Sequence, residues 1–225
     1  MKRAEHRARI AGLDCIVVGA TPAHSVVVVL HGRSMQATDL APFAHSLDLA
    51  TTFVFPNAEF AAERGFCWWP SDAEERARRC GPIDLHALDP PGRTEARERL
   101  RALSDELAPS APLALIGFSQ GGMLAADYVL HGGRADALAL LSSSRIAFDD
   151  WRPRLHRLAR LPVLIAHGDQ DRELPIEAGV ALREAARLGG ADVEWIGFEG
   201  GHAIPLVVWR ALRRFLSRHG FDMDA

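Results

Sequence analysis

The sequence predicts an α/β domain: a mostly parallel sheet with helices on both of its faces. Three observations lead there. Apolar runs of strand length alternate with helical patterns almost to the end of the chain, as they do when strands are joined by helical crossovers. Residues 25–30 (SVVVVL) and 113–116 (LALI) are apolar or β-branched nearly throughout, as in strands covered on both sides. The chain has 225 residues, 48% of them hydrophobic and 24% charged, which suits one well-buried domain and is short for two. Residues 1–225 are therefore read as a single domain.

In chain order, residues 12–18 read as a first strand and 25–30 as a second. A helix is expected over 37–49, and a third strand over 51–55, stopped by Pro56 and Asn57. Residues 56–92 show no clean periodicity and carry Phe66, Trp68, Trp69 and several prolines. A connection that long in a compact domain is usually functional or disordered, and its tryptophans favour a functional loop on the active-site side. A helix follows over 94–107, with Thr94 as its cap. Strands are expected at 113–116, 135–141, 162–166 and 193–198, and helices at 122–129, 176–188 and 206–218. Internal repeats, low-complexity tracts and interdomain linkers are not found in the sequence.

A net charge of −3 gives no reason to expect nucleic acid or an acidic membrane as partner. Cys15, Cys67 and Cys80 lack metal-ligand spacing, and an odd count suits a reducing compartment. A Cys67–Cys80 bridge stays open. Glu5 and Asp14 interrupt any apolar core that a signal peptide would need, and no run reaches transmembrane length. The expected location is the cytoplasm.

Chemistry concentrates in 113–129 (LALIGFSQGGMLAADYV). Gly117-Phe118-Ser119-Gln120-Gly121 is a G-x-S-x-G motif between an apolar run and a helix. At such a turn the serine hydroxyl is pushed out above the sheet, and the flanking glycines remove side chains that would clash. A nucleophilic serine needs a base, and the base needs an orienting acid. Functional residues of open parallel sheets gather beyond the carboxyl ends of strands. Two further strand ends offer the required types: His167-Gly168-Asp169-Gln170-Asp171 after 162–166, and Glu199-Gly200-Gly201-His202 after 193–198. The order Ser119, Asp, His202 is that of α/β-hydrolases. Asp169 and Asp171 both qualify as the acid, and Asp171 could instead cap the helix near Ile176. His31 and His167 read as hydrogen-bonding turn residues. The oxyanion would be held by the backbone N–H of Gln120 and by that of Arg33, in the loop after the second strand.

These segments together resemble the phospholipase/carboxylesterase family, which includes bacterial carboxylesterases and acyl-protein thioesterases. The resemblance rests on Leu30-His31-Gly32-Arg33, Gly117-Phe118-Ser119-Gln120-Gly121-Gly122, His167-Gly168-Asp169-Gln170-Asp171 and Gly200-Gly201-His202, and it spans about 25–216. It implies a single-domain α/β-hydrolase fold, and it places the acid at the last residue of the H-G-x-x-D pattern, Asp171. It leaves a homodimer open, since relatives are often dimers. Two features depart from the family. Glycine is usual two residues after the first His-Gly pair, where this chain has Ser34, and the usual single aromatic near the site is replaced by Trp68 and Trp69.

The resulting expectation is a serine hydrolase that cleaves small-molecule carboxylic esters, or thioesters, of small to medium acyl chain through an acyl-enzyme. Ser119, Asp171 and His202 are its catalytic residues, and Trp69 and Trp68 wall its substrate pocket. No metal or organic cofactor is called for. Dienelactone-hydrolase-like or peptidase-like chemistry on the same fold is one alternative. A catalytically silent α/β-hydrolase that binds a small ligand is another.

Overall fold

Alternating burial of apolar side chains on two faces builds the centre of the sheet. The computed structural model describes residues 4–19, 24–70 and 85–222. In β3 (Val26–Leu30), Val26, Val28 and Leu30 enter one hydrophobic core, and Val27 and Val29 enter the other. The same alternation runs through β7 (Leu113–Phe118), β8 (Ala137–Leu141) and β9 (Pro162–Gly168). Two apolar faces need two helical layers. α3 (Arg93–Leu107), α4 (Gln120–Leu130) and α6 (Ile176–Leu188) cover the first face. α1 (Ala37–Leu40), α2 (Pro42–Leu47) and α7 (Leu206–Arg218) cover the second. Each large side chain taken fully out of water in these layers contributes about 1.5–3 kcal/mol.

The eight-stranded sheet has the order β1-β2-β4-β3-β7-β8-β9-β10, completed by β1 (Glu5–Ile10), β2 (Leu13–Val18), β4 (Thr52–Pro56) and β10 (Asp192–Phe198). Pairing is parallel from β4 to β10 and antiparallel at β1–β2 and β2–β4. The expected α/β fold is therefore present.

Several element expectations are corrected. The first strand of the sequence reading, 12–18, is the second strand of a hairpin. Ala11 (φ 49°) and Gly12 (φ 81°) turn it with positive φ at both loop positions, which matches the twist of the strands they join. The single helix expected over 37–49 is broken at Pro42, whose missing N–H starts a new helix instead of continuing the old one. Gly92, not Thr94, caps α3. Part of the long 56–92 loop is a two-stranded ribbon, β5 (Phe60–Ala61) with β6 (Phe66–Cys67). Cys67 is a buried free thiol, and Cys80 lies outside the described residues. A short α5 (Phe148–Trp151) runs into a 3-10 turn at Arg152–Leu158, neither of which shows a periodic pattern.

One buried polar network ties the helices together. The fully buried carboxylate of Asp127, on α4, accepts from Arg93 Nη1 at 2.6 Å, Arg97 Nη1 at 2.9 Å and Trp151 Nε1 at 2.7 Å. Arg93 also reaches Asp150, at 3.0 Å, and so does His131. Every member has a charged partner, so the network joins α3, α4 and α5 without a bare buried charge.

Candidate active site

The turn between β7 and α4 holds Ser119 at φ 53° and ψ −117°, a conformation that an L-residue adopts only when its surroundings impose it. They do so here. The Ser119 N–H donates to Leu141 O at 2.9 Å, and its carbonyl accepts from Ser143 Oγ at 3.0 Å and from the N–H groups of Gly122 and Met123. A Cβ on Gly117 would stand 2.4 Å from the Gly121 backbone, and one on Gly121 would stand 2.3 Å from Leu30 O. Both glycines are thus required by close backbone approach, as the motif predicts.

His202, beyond the end of β10, points its Nδ1 at Asp171 Oδ2, 2.7 Å away. The other carboxylate oxygen accepts the N–H groups of Glu173 and Leu174, each at 2.9 Å. Burial pushes the Asp171 carboxyl upward, but the hydrogen bonds from His202, Leu174 and Glu173 prevail and hold it below its ordinary value. An ionised carboxylate accepts only, so Nδ1 of His202 is the donor in this pair, and in the neutral ring Nε2 is left as the acceptor. Asp169 does not join this pair. It is exposed and accepts the Gly200 N–H at 3.1 Å, closing the turn that carries His202.

Ser119 and His202 line one cavity of about 610 Å³, together with Arg33, Gln120, Trp69, Leu85, Leu88, Met123 and Glu173. Phe118 lies under the His202 ring with centroids 4.8 Å apart. Gln120 is the first residue of α4, so its N–H has no intrahelical partner. The Ser34 N–H donates to Phe66 O at 2.9 Å and the Phe66 N–H to Met35 O at 2.8 Å. They pin the loop to the ribbon, while the Arg33 N–H has no acceptor among the described residues. Ser34 adopts φ 62°, the left-handed region where glycine is at ease, and its hydroxyl is buried without a partner.

The two tryptophans have different surroundings. Trp69 is 1% exposed and lines the cavity. Trp68 is not among the lining residues: its indole stacks on His31 and donates Nε1–H to His31 O at 2.9 Å. His31 in turn accepts the Ala58 N–H at Nε2 and donates Nδ1–H to Gly32 O, so it is a buried brace of the loop. The brace near Asp171 is His167. Its Nε2–H donates to Leu174 O at 2.7 Å, and burial lowers its pKa, keeping the ring neutral. Sequence reasoning missed Glu173, Leu174, Leu85 and Leu88. For the first two a signal was available: an Asp two and three residues before free N–H groups, ahead of Pro175, is an Asx-type turn.

The chain is similar to several known proteins. A family model described as Phospholipase/Carboxylesterase matches residues 93–220. Among solved structures, esterase PE8 shares 25% identity at a TM-score of 0.75, covering 97% of this chain and 99% of that one. Acyl-protein thioesterase 2 from Zea mays shares the fold at 19% identity and TM-score 0.75 (91% and 98% covered). The carboxylesterase from Mesorhizobium loti does so at 20% and 0.73 (96% and 99%). Residues of this chain are also 35% identical over 117 positions to the AMB antimetabolite synthetase AmbE of Pseudomonas aeruginosa; the match covers 45% of this chain and 6% of that protein's length. Among the described residues, no helix is long and apolar enough to cross a membrane. With over half of its length matched by the family model and its sheet shared with these esterases, the chain belongs to the phospholipase/carboxylesterase family of α/β-hydrolases.

Proposed function

We propose that the protein is a serine hydrolase of small to medium carboxylic esters, with thioesters as a further substrate class. One observation carries this reading: a serine held in a strained strand-to-helix turn lines the same cavity as a histidine hydrogen-bonded, at 2.7 Å, to a buried carboxylate. In the proposed reaction the Ser119 hydroxyl attacks the ester carbonyl carbon while His202 Nε2 takes its proton. The Asp171 carboxylate stabilises the imidazolium that forms and fixes the ring tautomer. The N–H groups of Gln120 and Arg33 receive the negative charge on the carbonyl oxygen, each worth about 3 kcal/mol in the transition state. Collapse breaks the bond to the alcohol oxygen, which leaves with the proton from His202. A water then repeats the sequence on the acyl-enzyme, releasing the acid and restoring Ser119.

Trp69, with Leu85, Leu88 and Met123, supplies an apolar wall for the acyl group, and Trp68 supports that wall from behind. The proposed setting is the cytoplasm. A fluorophosphonate probe should label the wild type and not Ser119→Ala, and p-nitrophenyl esters from C2 to C16 should show an optimum at short or medium length. Labelling that persists in Ser119→Ala would overturn the assignment of the nucleophile.

A further inference from the structure

Glu173 is two residues beyond Asp171, and the sequence gives it no role. Its backbone N–H is committed to Asp171, but its side chain is 71% exposed at the cavity rim, with Oε2 3.8 Å from His202 Nε2. Sheet order decides which part of an ester this carboxylate meets. β3, which leads into the Arg33 loop, flanks β7 on one side, whereas β8 and β9, which precede Glu173, lie on the other. The Arg33 loop and the His202 edge therefore sit on opposite sides of Ser119. The alcohol oxygen must leave beside His202 Nε2, since that nitrogen protonates it. A group two or three bonds beyond that oxygen lies next to Glu173.

The other charges lining the cavity do not compete for that place. Arg33 is 3.6 Å from Glu63, and both belong to the β3 side and its ribbon; Arg64 is on the same ribbon turn, and Asp39 accepts the Gln36 N–H on α1. We infer that Glu173 selects esters whose alcohol carries a positive charge close to the ester oxygen, as amino alcohols do. This rests on the hydrolase reading above and refines it to a substrate class. The acyl part meets Trp69 and the leucines, and the cationic alcohol meets the carboxylate.

The test uses two isosteric esters of one acid with the full-length protein: butyrylcholine and 3,3-dimethylbutyl butyrate, followed by pH-stat. The wild type should favour the cationic ester in kcat/KM by about three-fold, the scale of one solvent-exposed charge contact. The preference should shrink as NaCl is added, because exposed charges are screened. Glu173→Gln should bring the ratio to about one, and Glu173→Lys should invert it. The ratio is the readout. If Glu173 acted only through the imidazole, both rates would fall together and the ratio would stay, which would overturn the inference. A wild-type ratio of one would overturn it too. If neither ester turns over while fluorophosphonate still labels Ser119, the substrate class is wrong and the hydrolase reading stands. If Ser119 is also unlabelled, both fail.

Discussion

Gln120 holds the bend at Trp69 with both ends of its side-chain amide: Nε2–H donates to the Trp69 carbonyl at 2.9 Å, and Oε1 accepts the Trp68 N–H at the same distance. One amide thus fastens the aromatic loop to the turn that carries Ser119. Gln120→Ala leaves two buried backbone groups without partners and should cost about 2 kcal/mol or more, at about 1–3 each. Gln120→Glu keeps the acceptor and loses the donor, so it should fall between the two in denaturant midpoint. Equal stability of all three proteins would contradict this.

Ser119→Ala should lower kcat by about 10⁴ or more with the fold intact, on the scale of other triad knockouts. Ser119→Gly should be equally inactive but more stable than Ser119→Ala, because glycine meets φ 53° without strain. Thermal melts of the two variants make the comparison.

Asp171→Asn should cost about 10⁴ in kcat, as loss of the orienting charge does, and Asp169→Asn less than about ten-fold, since it only loosens an exposed turn. The pH dependence of stability separates them further. The folded state holds the Asp171 carboxyl below its ordinary value, so its contribution is complete above the unfolded value of about 3.9 and is lost as pH falls through the lower folded value. The Tm gap between wild type and Asp171→Asn should therefore be widest near neutrality and close in strong acid. A gap that widens with acid would reverse the assigned sign.

Ser34→Gly should raise stability by about 1 kcal/mol or more. It relieves a left-handed φ of 62° and removes a hydroxyl buried without a partner. Urea midpoints of wild type and variant decide it.

Asp127→Ala should be the most damaging of these substitutions, at about 3–5 kcal/mol. It leaves the Arg97 guanidinium, 11% exposed, without its close carboxylate, and takes from Arg93, 9% exposed, one of three carboxylate partners. A loss below about 1 kcal/mol would mean that solvent reaches those arginines in the native state.

Much of this was legible in the sequence, for identifiable reasons. β3 and β7 are apolar at every position, which only a doubly covered strand tolerates, and the glycines around Ser119 mark approaches that leave no room for a Cβ. Strand-end position brings His202 together with Asp169 or Asp171, and the family resemblance singles out Asp171, the one that His202 meets. Other features leave no local trace. β1 reads EHRARI, with charges where a strand pattern wants apolar residues, because this edge strand is largely exposed. Gln120 at a helix start looks like a surface residue, and its two hydrogen bonds reach residues about fifty positions away, which no pattern along the chain reveals. The split of the 37–49 helix, by contrast, was readable at Pro42.

The sheet order has a kinetic consequence. Leu30 is the strand neighbour of Gly117, Leu141 of Ala166 and Gly168 of Phe198, so the strand ends that lead to Arg33, Ser119, Asp171 and His202 wait for parallel pairings between distant segments. Such pairings require loop closure before any contact rewards it, and they form late and slowly. During refolding, helical ellipticity should recover ahead of hydrolytic turnover, and a chain arrested before β10 docks would have Ser119 in place with no imidazole beside it.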